Sequence, residues 1–244
     1  MIIIMQAHAR ISVLLLLLAS RAAVAQLDGG LEVELCTSLS MRGGQVRMPV
    51  AAAPNGAAAR TVTAWIKPDC RTATELLRGL HNVVSWGHSG FAAERFSLKH
   101  AGGCARSQFA GGGDVAWSGL AGPSDGWTHI ALTYEGVLDE DGEPTLEGNM
   151  FFHVDGERTD GPQPIGALAT WVVDENHPIV VGGDTYPGTG EPFLGLIKRV
   201  RVWDRALSAE EVAADFADVG ISILDLTVTV AVGETVILLH PLSF

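Results

Sequence analysis

Past residue 25 the chain alternates short apolar runs with clusters of Gly, Pro, Asn and Asp, the rhythm of strands joined by turns. The runs Gln45–Val50, Thr61–Lys67, Asn82–Gly87, Arg95–His100 and Ser107–Phe109 read as strands, followed by Trp127–Tyr134, Asn149–Val154, Ile179–Gly182 and Leu194–Trp203. Period-two alternation marks several of them. Met150, Phe152 and Val154 form an apolar face, with Asn149, His153 and Asp155 opposite. Asp155-Gly156 then supplies a tight turn, since Gly accepts positive φ. In the last run Leu194, Leu196, Val200 and Val202 are expected on one face and Arg199 and Arg201 on the other.

One helix is expected. Ser208-Ala209-Glu210-Glu211 has the form of a capping box, and Val212 and Phe216, four apart, give the segment one apolar edge. Many strands, one short terminal helix and no strand–helix–strand rhythm predict an all-β, antiparallel two-sheet jelly-roll sandwich.

The N-terminus differs. Arg10 precedes an apolar run ending at Leu18, and Ala23-Val24-Ala25 has the small-x-small form of a cleavage site, so residues 1–25 are expected to be a secretory signal peptide. The apolar run is about half the length of a membrane span. Ile2, Ile3 and Ile4 keep an uncleaved anchor as the competing reading. An extracellular location follows from the signal.

Charge then narrows the partners. Against 28 acidic residues the 244-residue chain has 16 Lys plus Arg, a net charge of −12. Removing residues 1–25 takes away Arg10 and Arg21 and no acid, so the mature value is −14. An acidic chain with three lysines (Lys67, Lys99, Lys198) repels phosphate backbones, which argues against nucleic acid as a partner.

Secretion permits disulfides. Cys36, Cys70 and Cys104 are odd in number, so one bridge and one leftover thiol is the simplest count. Cys70 with Cys104 is the favoured pair, because Pro68-Asp69 and Gly102-Gly103 place turns beside them; the other pairings stay open. No CxxC or Cys/His spacing suggests zinc.

Five segments, in order, resemble a known family: Thr61-Val62-Thr63-Ala64-Trp65-Ile66-Lys67-Pro68-Asp69, Gly126-Trp127-Thr128-His129-Ile130-Ala131-Leu132-Thr133-Tyr134, His153-Val154-Asp155-Gly156-Glu157, Val181-Gly182-Gly183-Asp184, and Leu194-Gly195-Leu196-Ile197 running into Val202-Trp203-Asp204-Arg205-Ala206-Leu207-Ser208. They are similar to the LamG-like jelly-roll domains of the concanavalin A-like lectin/glucanase superfamily, over roughly Leu31 to Val219. The resemblance implies a jelly-roll domain, here taken as residues 26–220, that binds a carbohydrate or protein partner outside the cell as one module of a longer multidomain chain. Some family members bind calcium through acidic loop residues. Where relatives often carry Asp-Glu, this chain has Lys198-Arg199, which argues against that site while leaving calcium a possible cofactor.

Several constellations could carry chemistry. Asp139, Asp141 and Glu143 stand at i, i+2 and i+4, the spacing of carboxylates on one strand face, and glucanases of this fold use such a trio. Gly142 and Pro144 break a strand, so a solvated hairpin loop is the favoured reading, with weak calcium binding next. Glu32 and Glu34 read as solubilising edge charges. His129, between Trp127 and Ala131, is expected to be a hydrogen-bonded core histidine, and Trp65, Trp127 and Trp203 to be core.

Trp86, Trp117, Trp171 and Tyr186 lie near Gly-rich or polar turns, where exposed rings stack on sugars. The loop from Gly182 to Glu191 is the preferred ligand contact, with Asp184, Tyr186 and Glu191 as candidates and Trp86 beside them. These features favour a non-catalytic recognition module, over a glycan hydrolase or a structural spacer. Beyond the jelly roll, residues 221–244 alternate from Leu226 to Leu238 around Gly233-Glu234, resembling the opening of a truncated immunoglobulin-like domain.

Overall fold

A computed structural model describes residues 24–27, 30–33, 38–42, 45–48, 54, 56–68, 80–87, 95–101, 107–110, 116–120, 126–141, 144–159, 163–165, 178–183, 185, 192–218, 227–231 and 235–237. Two sheets dominate. The eight-stranded sheet runs β12 (Glu157–Arg158), β11 (Pro144–Val154), β10 (Thr128–Leu138), β5 (Arg60–Pro68), β15 (Leu194–Trp203), β3 (Ser38–Arg42) and β16 (Thr227–Ala231), with β13 (Gln163–Ile165) also on β11. The seven-stranded sheet runs β17 (Thr235–Ile237), β4 (Gln45–Met48), β14 (Ile179–Val181), β6 (Leu80–Gly87), β7 (Arg95–Ala101), β8 (Ser107–Ala110) and β9 (Ala116–Leu120). A separate hairpin joins β1 (Val24–Leu27) to β2 (Gly30–Val33).

Pairing is antiparallel except at the C-terminal tail. There β16 adds in parallel to β3, and β17 in parallel to β4. The tail therefore supplies an edge strand to each sheet. The free N–H and C=O groups of β3 and β4 give these segments partners that no local sequence pattern reveals.

The core lies between the sheets. Val62, Ala64 and Ile66 of β5 and Ile130, Leu132 and Tyr134 of β10 meet Val84 and Trp86 of β6 and Phe96 and Leu98 of β7, all fully buried. Each set is spaced by two, as strand geometry requires. The expected alternation fails in β15. Its register against β5 shifts between Lys198 and Arg201, and Arg199 takes φ +50. Three steps on one strand oppose two on the other, a β-bulge that exchanges the faces. Ile197 points inward before the bulge and Val200 and Val202 after it, while Leu194 and Leu196 stay half-buried.

The single helix among the described residues, α1 (Ala209–Ala217), has its capping box: the Ser208 Oγ accepts from the Glu211 N–H at 3.2 Å, and the Glu211 carboxylate accepts from the Ser208 N–H at 2.8 Å. Thr61 anchors its approach, accepting from the Leu207 N–H at 2.9 Å and donating to the Arg205 carbonyl at 3.0 Å. The helix covers the outer face of the eight-stranded sheet through Val212, Leu207, Ala131 and Trp203. Trp65 belongs here too, stacked on Phe216 with ring centres 5.5 Å apart. Trp65, Trp127 and Trp203 are thus half-buried on the outer face, not in the inter-sheet core.

Candidate functional site

The Gly182–Glu191 loop starts and ends on β6. The Gly182 N–H donates to the Val83 carbonyl at 2.9 Å, and the Ser85 hydroxyl donates to the Gly183 carbonyl at 2.9 Å. On the return, the Phe193 N–H donates to the Gly182 carbonyl at 2.9 Å and closes the stem. Pro192 forms a bridge with Asn82, and its carbonyl lies 2.9 Å from His81 Nδ1, which must carry the proton to donate there. Glycine is required at the turn. Gly182 has φ +78, and a Cβ at Gly183 would sit 2.9 Å from the Gln45 side chain.

Phe193 then plugs into the core, with the His100 ring edge-on at 6.3 Å. Burial, aided by His81, pushes the His100 pKa down to about 4, so the imidazole is neutral at pH 7. Thr185, inside the loop, is buried. Asp184, Tyr186 and Glu191 lie outside the described residues, as do Trp171, Cys36, Cys70 and Cys104 with their proposed disulfide.

Under this stem lies the outer face of the seven-stranded sheet. Register places Arg47 beside Val180, Val180 beside Ser85, and Ser85 beside Ser97. One rung further, Asn82 pairs with Lys99. Since Phe96 and Leu98 point into the core, Ser97 and Lys99 occupy the opposite face. None of these polar residues was singled out from the sequence. Each looks like an ordinary polar strand position until four strands are laid side by side.

Trp86 does not serve the ligand contact expected of it. It is fully buried, its indole N–H donates to the Pro54 carbonyl at 2.9 Å, and its ring packs against Phe96 at 4.6 Å. The adjacent Gly87 suggested a turn, but the residue that decides its environment, Arg60, is distant in sequence. The buried Arg60 guanidinium donates to the Pro54, Gly56 and Ala58 carbonyls at 3.1, 2.7 and 2.8 Å and so holds the Pro54 carbonyl against the indole.

The acidic loop is a hairpin tip between β10 and β11. Asp139, Glu140 and Asp141 are exposed, and the Asp139 carboxylate accepts from the Asp141 N–H at 3.0 Å. His129 is a fully buried, hydrogen-bonded histidine, with Nε2 2.9 Å from Asp215 Oδ2. Lys198 and Arg199 are engaged internally: the Lys198 ammonium lies 4.3 Å from the Trp127 ring centre, and Arg199 pairs with Asp218 at 2.8 Å. Among the described residues no three His, Cys, Asp or Glu side chains are placed to hold a metal ion, and no helix is long and apolar enough to cross a membrane.

A two-sheet jelly roll with a helix on one outer face and a stem-anchored loop at the other is the architecture of lectin-like sandwich domains. A laminin G family model, described as the concanavalin A-like lectin/glucanases superfamily, matches residues 41–213, and the chain belongs to that superfamily. Similar solved structures include a native heptameric SAP-like pentraxin from Limulus polyphemus, with TM-score 0.50 and 17% identity over 80% of this chain and 87% of that one. The CBM40 of a Ruminococcus gnavus IT-sialidase has TM-score 0.45 and 18% identity over 66% and 84%. Domain 4 of an extracellular GH43 arabinanase from Geobacillus stearothermophilus, in complex with arabinotriose, has TM-score 0.43 and 17% identity over 77% and 72%. At these identities the likenesses speak to the fold alone. No curated protein matches the chain.

Proposed function

We propose that this chain is a secreted, non-catalytic recognition module that binds carbohydrate at the 184–191 loop. The observation that carries this reading is the stem. Both of its sides are hydrogen-bonded to β6, so the segment bearing Asp184, Tyr186 and Glu191 leaves and rejoins the sheet at fixed points. A ring to stack on a sugar and two carboxylates to accept from its hydroxyls are the groups a saccharide site uses. Membership of a lectin-containing superfamily supports the same ligand class. The exposed carboxylates of Asp139 and Asp141 at a hairpin tip support the non-catalytic reading, since a glycosidase encloses its acid.

The test is a glycan-array screen of the full secreted chain, in calcium and again with chelator. Saturable binding to one sugar class is expected, weakened in Tyr186→Ala and in Asp184→Asn with Glu191→Gln. Loss of binding with chelator would assign a calcium ion to the loop. A blank array in both buffers would overturn the carbohydrate reading in favour of a protein partner or a spacer.

A further inference from the structure

Beside helix α1, one end of the outer face of the eight-stranded sheet stays partly open to solvent, and it is both apolar and cationic. Alternation puts Leu194, Leu196 and Lys198 of β15 and Trp65 and Lys67 of β5 on this face, because Ile197, Ala64 and Ile66 fill the core. Register sets Leu196 opposite Lys67 and Lys198 opposite Trp65, and the Lys198 ammonium lies 4.3 Å from the Trp127 ring centre. All six side chains are half-buried.

Charge sets this patch apart. The chain holds 28 acidic residues against 16 basic ones, yet β3, β5 and β15 contain no Asp or Glu. The arginines on β15 are compensated: Arg199 pairs with Asp218, and Arg201 with Asp215 and Asp218. Among the described residues, Lys67 and Lys198 have no carboxylate partner. The indole beside Lys198 leaves its charge uncompensated. As diagonal neighbours on adjacent strands, the two lysines stand about 7–8 Å apart at the backbone, so like charges share one spot. Edge protection does not explain them, since β5 lies between β10 and β15, and β15 between β5 and β3. Unpaired ammoniums among half-exposed indoles and leucines fit a partner that is itself acidic and apolar.

The chain carries such a partner at its other end. Past Tyr134, β10 leaves β5 and pairs with β11 alone. There Val137 is 41% and Leu138 60% exposed, the large hydrophobic side chains that stand out among the described residues. Asp139, Glu140 and Asp141 follow, all exposed, and residues 135–143 include no cation. Trp127 and Leu138 flank opposite ends of β10, about 36 Å apart by strand rise, so the tip cannot reach the patch of its own chain.

We infer that the chain self-associates head to tail, the hairpin tip of one copy seated on the Trp127, Lys67 and Lys198 patch of the next. Val137 and Leu138 cover the indoles and leucines, and the tip carboxylates pair with the two lysines. Unlike patches meeting in this way form a heterologous contact, which builds rings or open filaments. A single hairpin tip makes a small interface, so the dissociation constant is on the order of 100 μM. The net charge of −12 does not prevent it, because repulsion between whole copies is screened beyond about 8 Å at physiological salt. The contact does not involve the 184–191 loop and is independent of the carbohydrate reading.

The experiment is sedimentation equilibrium of the full secreted chain from about 10 μM to about 1 mM. The mass is expected to rise with concentration past that of a dimer. Glu140→Lys with Asp141→Lys changes only exposed side chains, and raises the dissociation constant at least about tenfold. Lys67→Glu with Lys198→Glu does the same, its fold checked by thermal melting. Mixing the two charge-swapped proteins restores association, since each swapped tip then meets a swapped patch and each native tip a native patch. Leu138→Ser weakens association without a change in charge. A monomer at every concentration, or a dimer that grows no further, overturns the inference. Association unchanged in the tip variants overturns it as well, whether or not the lysine variant folds.

Discussion

His129 Nε2 lies 2.9 Å from Asp215 Oδ2, joining strand β10 to helix α1 across the outer face of the eight-stranded sheet. The other oxygen of Asp215 accepts from Arg201, whose second nitrogen reaches Asp218 at 3.1 Å. One carboxylate therefore ties the last turn of the helix to two strands. Burial opposes ionisation of Asp215, but the His129 bond and Arg201 outweigh it and hold the carboxyl below its usual range.

Asp215→Asn leaves His129 without its anionic partner and Arg201 with one fewer, at a site with both side chains buried. The expected loss is about 3 kcal/mol, measured by chemical denaturation at pH 7. A depressed carboxylate stabilises above its unfolded pKa and loses that contribution as pH falls below about 3.8. The variant should therefore lose less stability than wild type below that pH.

His153, on β11, is buried, and burial with Arg158 and His129 pushes its pKa down to about 4 from an ordinary 6.5. A histidine depressed in this way is neutral when folded and charged when unfolded. Stability is then full above about pH 6.5 and drains away as pH falls toward about 4, by roughly 1.4 kcal/mol per pH unit. His100 adds a second such term. In His153→Gln the slope of stability against pH between 6.5 and 4 should be visibly shallower; an unchanged slope counts against the assignment.

Arg199 occupies the left-handed region at φ +50, where a side chain costs about 1 kcal/mol. Arg199→Ala and Arg199→Gly lose the same pairing with Asp218, but only glycine relaxes the backbone. The glycine variant should be the more stable of the two by about that amount, read from paired denaturation curves.

Gly182→Ala puts a Cβ on a residue at φ +78, directly at the stem of the ligand loop. The expected cost is about 1 kcal/mol in stability, with weaker glycan binding because the bond from its N–H to Val83 is disturbed. Thermal melting measures the first effect, and titration with an array hit measures the second.

Strands and helix were legible in the chain because their signals are local. Period-two alternation reports which residues share a face, and the Ser208–Glu211 pair announces a helix start, whatever they later pack against. Each of the nine predicted runs therefore overlaps a described strand, whereas β3, β9 and β13 had no predicted run. The buried role of His129 was readable for the same reason, since it shares a strand face with Trp127 and Ala131 on either side.

What the sequence could not decide depends on partners far along the chain. Nothing about Arg199 itself signals a left-handed residue, so the bulge that exchanges the faces of β15 came only with its pairing to β5. Trp86 looked like a turn-side aromatic until Arg60 drew the Pro54 carbonyl over its indole. The largely buried polar row on the seven-stranded sheet is written in three separate segments, and appears only when their register places Arg47, Ser85, Ser97 and Lys99 on one side. Sequence determined which segments are strands and which positions alternate; the tertiary structure decided which faces meet, because pairing and burial are set by contacts that no local pattern contains.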